Sequence, residues 1–160
     1  MTQNTTWKNV EKSLQNLQNH LTLESFLTLN EEQLKLKIKP SGFYNQKAQR
    51  LLQIAQNIQN DFDNIENFKN NVTREWLLKQ KGIGKESADS ILCYGCFKDI
   101  MVVDSYTKRL LKKYGIEFKN YDEYQQFLES GIRANISKDT ALIFAQFHGM
   151  IVEYSKRYRN

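Results

Sequence analysis

Apolar residues return every three or four positions through most of this chain, and nowhere do they alternate for the length of a strand. That period belongs to the α-helix. Trp7, Val10, Leu14, Leu17 and Leu21 lay one apolar stripe along a helix predicted over 6–19. Ala48, Leu51, Leu52, Ala55, Ile58 and Phe62 do the same over roughly 44–60. Asn30 with Gln33 has the spacing of a capping box and opens a helix over 31–38. Pro40-Ser41-Gly42 then breaks the chain. Phe68 marks a further short helix, and Thr73 suits the cap of TREWLLKQ. Lys81-Gly82-Ile83-Gly84 ends that segment, and 85–96 forms the next helix. Asp104 suits the N-cap of DSYTKRLLKKYG, whose Lys112 and Lys113 favour a helix C-terminus and whose Gly115 favours the stop. Two last helices are predicted over 122–132 and 139–157. Ile100-Met101-Val102-Val103 is the one strand-like run, too short and isolated to pair, and reads as a buried extended connector. The fold class is therefore all-α, without repeats or a long linker.

The chain has 160 residues, of which 40% are hydrophobic, enough for a buried core in one domain or two small lobes. Its net charge of +5 and pI near 9.1 weakly favour a polyanionic partner. Two cysteines, Cys93 and Cys96, give no disulfide framework and suit a reducing cytoplasm. The pair spells C-x-x-C, but without further Cys or His it does not close a zinc site and reads as core packing. No metal site is expected. The N-terminus MTQNTTWKNV is polar, and no apolar run is long enough for a bilayer, so neither a signal peptide nor a membrane partner is expected. His148 reads as a hydrogen-bonded core histidine and His20 as a helix-end residue.

KGIGKESADSILCYG, residues 81–95, carries the first chemical signal. Glycine has no Cβ and tolerates positive φ, so a Gly-X-Gly turn between helices can bring backbone N–H groups close to a phosphate. The start of the following helix adds its dipole. Ile83 would anchor the turn, and Lys85 would add a charged contact. Alone, such a turn reads more readily as a plain corner between two helices.

The wider pattern resembles a known family. LLKQKGIGKESADSILCYG followed by IMVVDSYTKRLL is similar to the helix-hairpin-helix and aspartate region of DNA glycosylases of the endonuclease III superfamily. PSGFYNQKAQRL resembles a segment two helices upstream, and TQNT resembles the polar stretch that approaches the lesion. GFYNQKA, TREWLLKQKGIGKESAD and FHGMIVEYSK most resemble the 3-methyladenine-specific, iron–sulfur-free branch. The resemblance implies one helical glycosylase domain over 1–160, built as a bundle of two small lobes. Its helix-hairpin-helix would lie at about 73–96 and its catalytic aspartate region at 100–114. It also implies a monomer that acts in the bacterial cytoplasm on double-stranded DNA containing a damaged base.

Residue by residue, the resemblance makes Asp104 the catalytic carboxylate, which would stabilise the sugar cation and activate water. Gly82, Ile83, Gly84, Lys85 and Ser87 would hold the DNA backbone, and Gln3 and Asn4 would fill the place of a flipped base. Trp7, Phe43 and Tyr44 would neighbour the base pocket, stacking on a cationic alkylpurine. Asp104 stands 18 positions after Glu86, the spacing that in lyase-type members separates the aspartate from a Schiff-base lysine. Glutamate cannot form that adduct. Lys85, one residue away on a helix, points about 100° elsewhere. The resemblance thus implies a monofunctional glycosylase without lyase activity. IVEYSKRYRN lacks the cysteines that ligate a [4Fe–4S] cluster in many relatives, so no cofactor is expected. Relatives usually carry some thirty or more residues ahead of the TQNT stretch. That gives a second expectation, a weakly active or non-catalytic DNA-binding module.

Overall fold

Side-chain caps decide where several helices begin. The computed structural model describes residues 1–136 and 138–158, and no strand occurs among the described residues. Asn30 and Gln33 exchange side-chain and backbone hydrogen bonds (2.9 and 3.0 Å) at the start of the helix Glu31–Ile38. Thr73 accepts from the Trp76 N–H at 3.1 Å, and Asp104 from the Thr107 N–H at 2.8 Å. All three caps match the sequence reading. One helix does not: Leu23–Leu27 went unpredicted. Its box uses Ser25 where glutamate or glutamine is usual, closing on Thr22.

The chain divides into two compact units, Met1–Asn71 and Val72–Asn160. The first holds α1 (Trp7–Asn16), α2 (Leu23–Leu27), α3 (Glu31–Ile38), α4 (Tyr44–Phe62) and α5 (Ile65–Asn71). A 3-10 turn, Lys39–Ser41, joins α3 to α4. Leu17, Leu29, Leu34, Ile38 and Ala48 form its core, with Phe26, Tyr44, Leu51 and Leu52 packed around them. Gly42 and Phe43 both adopt positive φ (+67° and +48°) as the chain turns into α4. Lys47 straps this turn by donating to the carbonyls of Ser41 (2.7 Å) and Met1 (3.1 Å).

The second unit holds α6 (Arg74–Leu78), α7 (Lys85–Ser90), α8 (Ser105–Lys113), α9 (Tyr121–Arg133) and α10 (Thr140–Arg157). Met101, Val103, Tyr124, Leu128, Phe144 and Ile151 form its core. The helix predicted over 85–96 is not uniform. It is α-helical only to Ser90 and continues as a π-turn over Ile91–Gly95, closed by the Cys96 N–H on the Ile91 carbonyl at 3.0 Å. The wider turn keeps Leu92 and Cys93 buried while Tyr94 reaches α10, where its hydroxyl meets His148.

Residues 100–103 are an extended connector, as predicted, with Met101, Val102 and Val103 buried. A buried extended segment needs partners for its backbone, and α9 supplies them. Glu129 accepts from the Met101 N–H (2.9 Å), Gln125 donates to the Met101 carbonyl (2.6 Å), and the Tyr121 hydroxyl accepts from the Val103 N–H (3.2 Å). The connector thereby delivers Asp104 to the start of α8 from a fixed direction.

A second buried network ties the hairpin to α9. Asp89 is fully buried and accepts from Arg74 through Nε (2.7 Å) and Nη2 (3.0 Å), and from Gln125 at 2.8 Å. Arg74 reaches on to Asp122 at 3.3 Å, and Lys85 pairs with the same carboxylate. A buried carboxylate is tolerated only with such full pairing.

Candidate active site and nucleic-acid interface

Asp104 caps α8 with one oxygen and leaves the other facing α10. Oδ1 accepts from both the N–H (2.8 Å) and the hydroxyl (3.0 Å) of Thr107. Oδ2 lies 3.5 Å from His148 Nε2. At that distance the contact is an electrostatic approach rather than a full hydrogen bond, and Nε2 makes no other hydrogen bond although it is buried. The Asp104 side chain is 13% exposed. Burial works to raise its pKa, but the facing imidazole and the Thr107 hydrogen bonds together hold it below the usual aspartate range. A carboxylate that is enclosed, oriented and ionised can stabilise a neighbouring positive centre.

His148 is 8% exposed, and its Nδ1 lies 2.6 Å from the Tyr94 hydroxyl. Burial pushes the Tyr94 phenol up to about 12. Glu86 presents its carboxyl to the same group of residues. Although the residue is largely exposed, partial burial first, and the Asp104 charge second, raise its pKa, with Lys108 and His148 opposing. Asp104, His148, Tyr94 and Glu86 thus come together from α8, α10, the π-turn and α7. Sequence reasoning singled out Asp104 and Glu86. Thr107 was legible from the D-x-x-T cap spacing. The Tyr94–His148 contact spans 54 positions, and no local pattern announces it.

The hairpin residues are arranged differently from the simple two-glycine picture. Gly82 has φ +88°, which favours glycine. Gly84 is extended (φ −95°, ψ −179°) and stands at the N-cap of α7. A Cβ at Gly84 would meet open space, so the fold itself does not demand glycine there. Ile83 is half-buried, and its N–H donates to the Gln80 carbonyl at 3.1 Å. Ser87 is half-buried on α7. The Lys85 charge is already paired with Asp122.

In the first unit, Gln3 and Asn4 are exposed, and Asn4 has φ +54°, which asparagine tolerates. Trp7 is 62% exposed and Phe43 66%. Tyr44 packs partly against the first unit's core, which accounts for that ring without a ligand. Cys93 is buried and Cys96 half-buried, and burial first, with the Asp89 charge, pushes the Cys93 thiol up to about 11. Among the described residues no group of three or more His, Cys, Asp or Glu side chains could hold a metal ion. No helix of the described residues is long and apolar enough to cross a membrane.

Residues 1–134 match the model of the HhH-GPD superfamily base excision DNA repair proteins. The chain is 49% identical to a Helicobacter pylori 3-methyladenine DNA glycosylase, MagIII, solved with 1,N6-ethenoadenine. The TM-score is 0.91, covering 98% of this chain and 80% of that one. It is 40% identical to the "Putative DNA repair glycosylase MJ1434" of Methanocaldococcus jannaschii, over 99% of this chain and 74% of the relative. An endonuclease III of Thermotoga maritima is 26% identical over 98% of this chain and 70% of its own length. A trapped endonuclease III–DNA intermediate shares the fold, with a TM-score of 0.74 at 17% identity over 98% of this chain and 70% of that one. The chain belongs to the HhH-GPD superfamily of base excision DNA repair proteins.

Proposed function

We propose that this chain works as one monofunctional DNA glycosylase domain that hydrolyses the N-glycosidic bond of alkylated purines such as 3-methyladenine. The carrying observation is Asp104, an enclosed carboxylate with one oxygen held by Thr107 and the other left without a full hydrogen bond, facing His148. As the bond to the base lengthens, positive charge grows on the sugar, and an ionised carboxylate beside it stabilises the transition state more than the ground state. The same oxygen can orient or deprotonate the attacking water. The base leaves neutral because alkylation has already made it cationic, so no strong nucleophile is needed. The likeness to the H. pylori 3-methyladenine glycosylase supports this substrate class.

Glu86 supports the absence of lyase chemistry, since a carboxylate forms no Schiff base. The Gly82–Gly84 turn, with Lys85 and Ser87, grips the backbone of damaged duplex DNA. The open space at Gly84 supports that role, because the chain's own packing does not explain the glycine. Trp7 and Phe43 supply exposed rings for the flipped base, and Gln3 and Asn4 supply polar contacts. The chain has only two cysteines, and the mechanism needs no iron–sulfur cluster. The protein acts as a cytoplasmic monomer.

The test uses duplexes bearing 3-methyladenine, 7-methylguanine, thymine glycol or uracil. Free alkylpurine should appear, and Asp104→Asn should slow its release by at least about 100-fold. Asparagine keeps the helix cap, so the loss would report chemistry rather than unfolding. Salt-dependent duplex binding without base release would replace the enzyme with a binding module. Borohydride trapping of protein on DNA would overturn the monofunctional assignment.

A further inference from the structure

His148 is the buried titratable group that this mechanism leaves unused. Its Nε2 is buried, makes no hydrogen bond, and points at Asp104 Oδ2 from 3.5 Å. Its Nδ1 meets the Tyr94 hydroxyl at 2.6 Å. A buried polar atom without a partner is costly, and here it is aimed at the one carboxylate oxygen that Thr107 does not hold. We infer that His148, set by Tyr94, is a positioning residue that presents an Nε2–H to Asp104 Oδ2 and holds that carboxylate ionised and oriented for base excision.

The proton inventory supports this tautomer. The phenol stays protonated at neutral pH and has two acceptors in reach, His148 Nδ1 at 2.6 Å and the Ala145 carbonyl at 3.3 Å. The nearer one takes the proton. With Nδ1 accepting from Tyr94, the ring's N–H is on Nε2, facing Asp104. A shift of about 0.6–0.8 Å closes the 3.5 Å approach to a charge-assisted hydrogen bond. No proton need move between His148 and DNA, so the residue acts through Asp104 alone.

Other groups bear on the same pair and set the background of any titration. Tyr94 and the adjacent Cys93 belong to the π-turn, Glu86 to α7, and Lys108 to α8. α9 meets α10 through the apolar cluster of Tyr124, Leu128, Phe144 and Ile151. Glu86 repels the Asp104 charge, so an imidazole N–H at Oδ2 offsets a destabilising neighbour.

This inference rests on Asp104 being the catalytic carboxylate, but its first measurement does not. The Asp104 carboxyl is titrated by 13C NMR in the free protein, with its signal assigned by its loss in Asp104→Asn. In His148→Gln it should titrate at higher pH than in the parent chain, and in Tyr94→Phe it should move the same way by less. The second measurement is the pH profile of 3-methyladenine release. Its acid limb should shift upward in both variants, and the neutral-pH rate of His148→Gln should fall on the order of tenfold. A purely structural role would lower the whole profile without moving its limb. Unchanged Asp104 titration in the folded Tyr94→Phe protein, and in His148→Gln if it folds, would overturn the inference. A shifted Asp104 titration in a protein that releases no base would sink the proposed function while leaving the positioning contact in place.

Discussion

The two units treat polarity in opposite ways. The first keeps its candidate contact residues outside its core. Trp7 and Phe43 project from a unit whose interior is Leu17, Leu29, Leu34, Ile38 and Ala48. The second takes polar groups inside: Asp89 is fully buried and Asp104 and His148 nearly so, Asp89 held by Arg74 and Gln125, His148 by Tyr94, and Asp104 by Thr107 of its own helix. Exposed rings can be exchanged with little effect on folding. Buried charges cannot, because each one's partners were placed for it. On the proposed roles, recognition by the first unit is therefore separable from stability, while chemistry in the second is bound up with it.

Asp89→Ala is the strongest way to break this contrast. It removes the buried carboxylate that Arg74 and Gln125 share, and should destabilise the protein by about 3–5 kcal/mol in denaturant unfolding. A loss below about 1 kcal/mol would mean that the network is replaceable, and the contrast would fail. Leu34→Ala, at a fully buried site of the first unit, should cost about 2–4 kcal/mol through lost burial and a cavity. Hydrogen exchange would show whether the unprotected amides cluster within Met1–Asn71.

Trp7→Ala sharpens the other side. Unfolding should change by less than about 0.5 kcal/mol, while 3-methyladenine release falls roughly tenfold through lost stacking. Equal loss of stability and activity would return Trp7 to a packing role. Phe43→Asn should leave the fold unharmed or stabilise it by about 0.5–1 kcal/mol, because asparagine accepts the left-handed conformation more readily. Reduced activity in this more stable variant would identify Phe43 as strain kept for binding.

The smallest effect is electrostatic. Glu86 has a raised folded pKa, so its contribution favours the fold below the unfolded value and fades as pH rises through the folded one. Glu86→Gln should therefore add a few tenths of a kcal/mol at pH 7, discounted for its exposure, and nothing near pH 3. Asp104 has the opposite sign, its contribution being present at neutral pH and lost as pH falls through its depressed folded pKa.

Local features were legible in the sequence. The caps at Asn30, Thr73 and Asp104 and the hairpin glycines all depend on neighbours within a few residues, while the connector before Asp104 was legible as an apolar run although its backbone partners lie on α9. The α2 cap was equally local but used a serine where the familiar box has a longer side chain. What escaped was set by distant partners. Lys85 reads as a free cation until Asp122, 37 positions on, takes its charge. The site's imidazole is likewise hidden until folding brings α10 to the π-turn. No residue type marks a π-turn, because it differs from α only in which carbonyl each N–H selects.

That turn carries a consequence at the level of the gene. A π-turn is equivalent to one residue inserted into an α-helix. Removing one codon within 91–95 would let the segment revert to α with its flanking register kept, and would take away the local widening from which Tyr94 projects. Tyr94, or whichever residue inherited its place, would swing off His148. Reading frame, hairpin and aspartate would all survive such a deletion. The spacing between hairpin and aspartate is therefore a constraint on length as much as a motif, and a one-residue change in it would separate Tyr94 from His148 without altering Asp104.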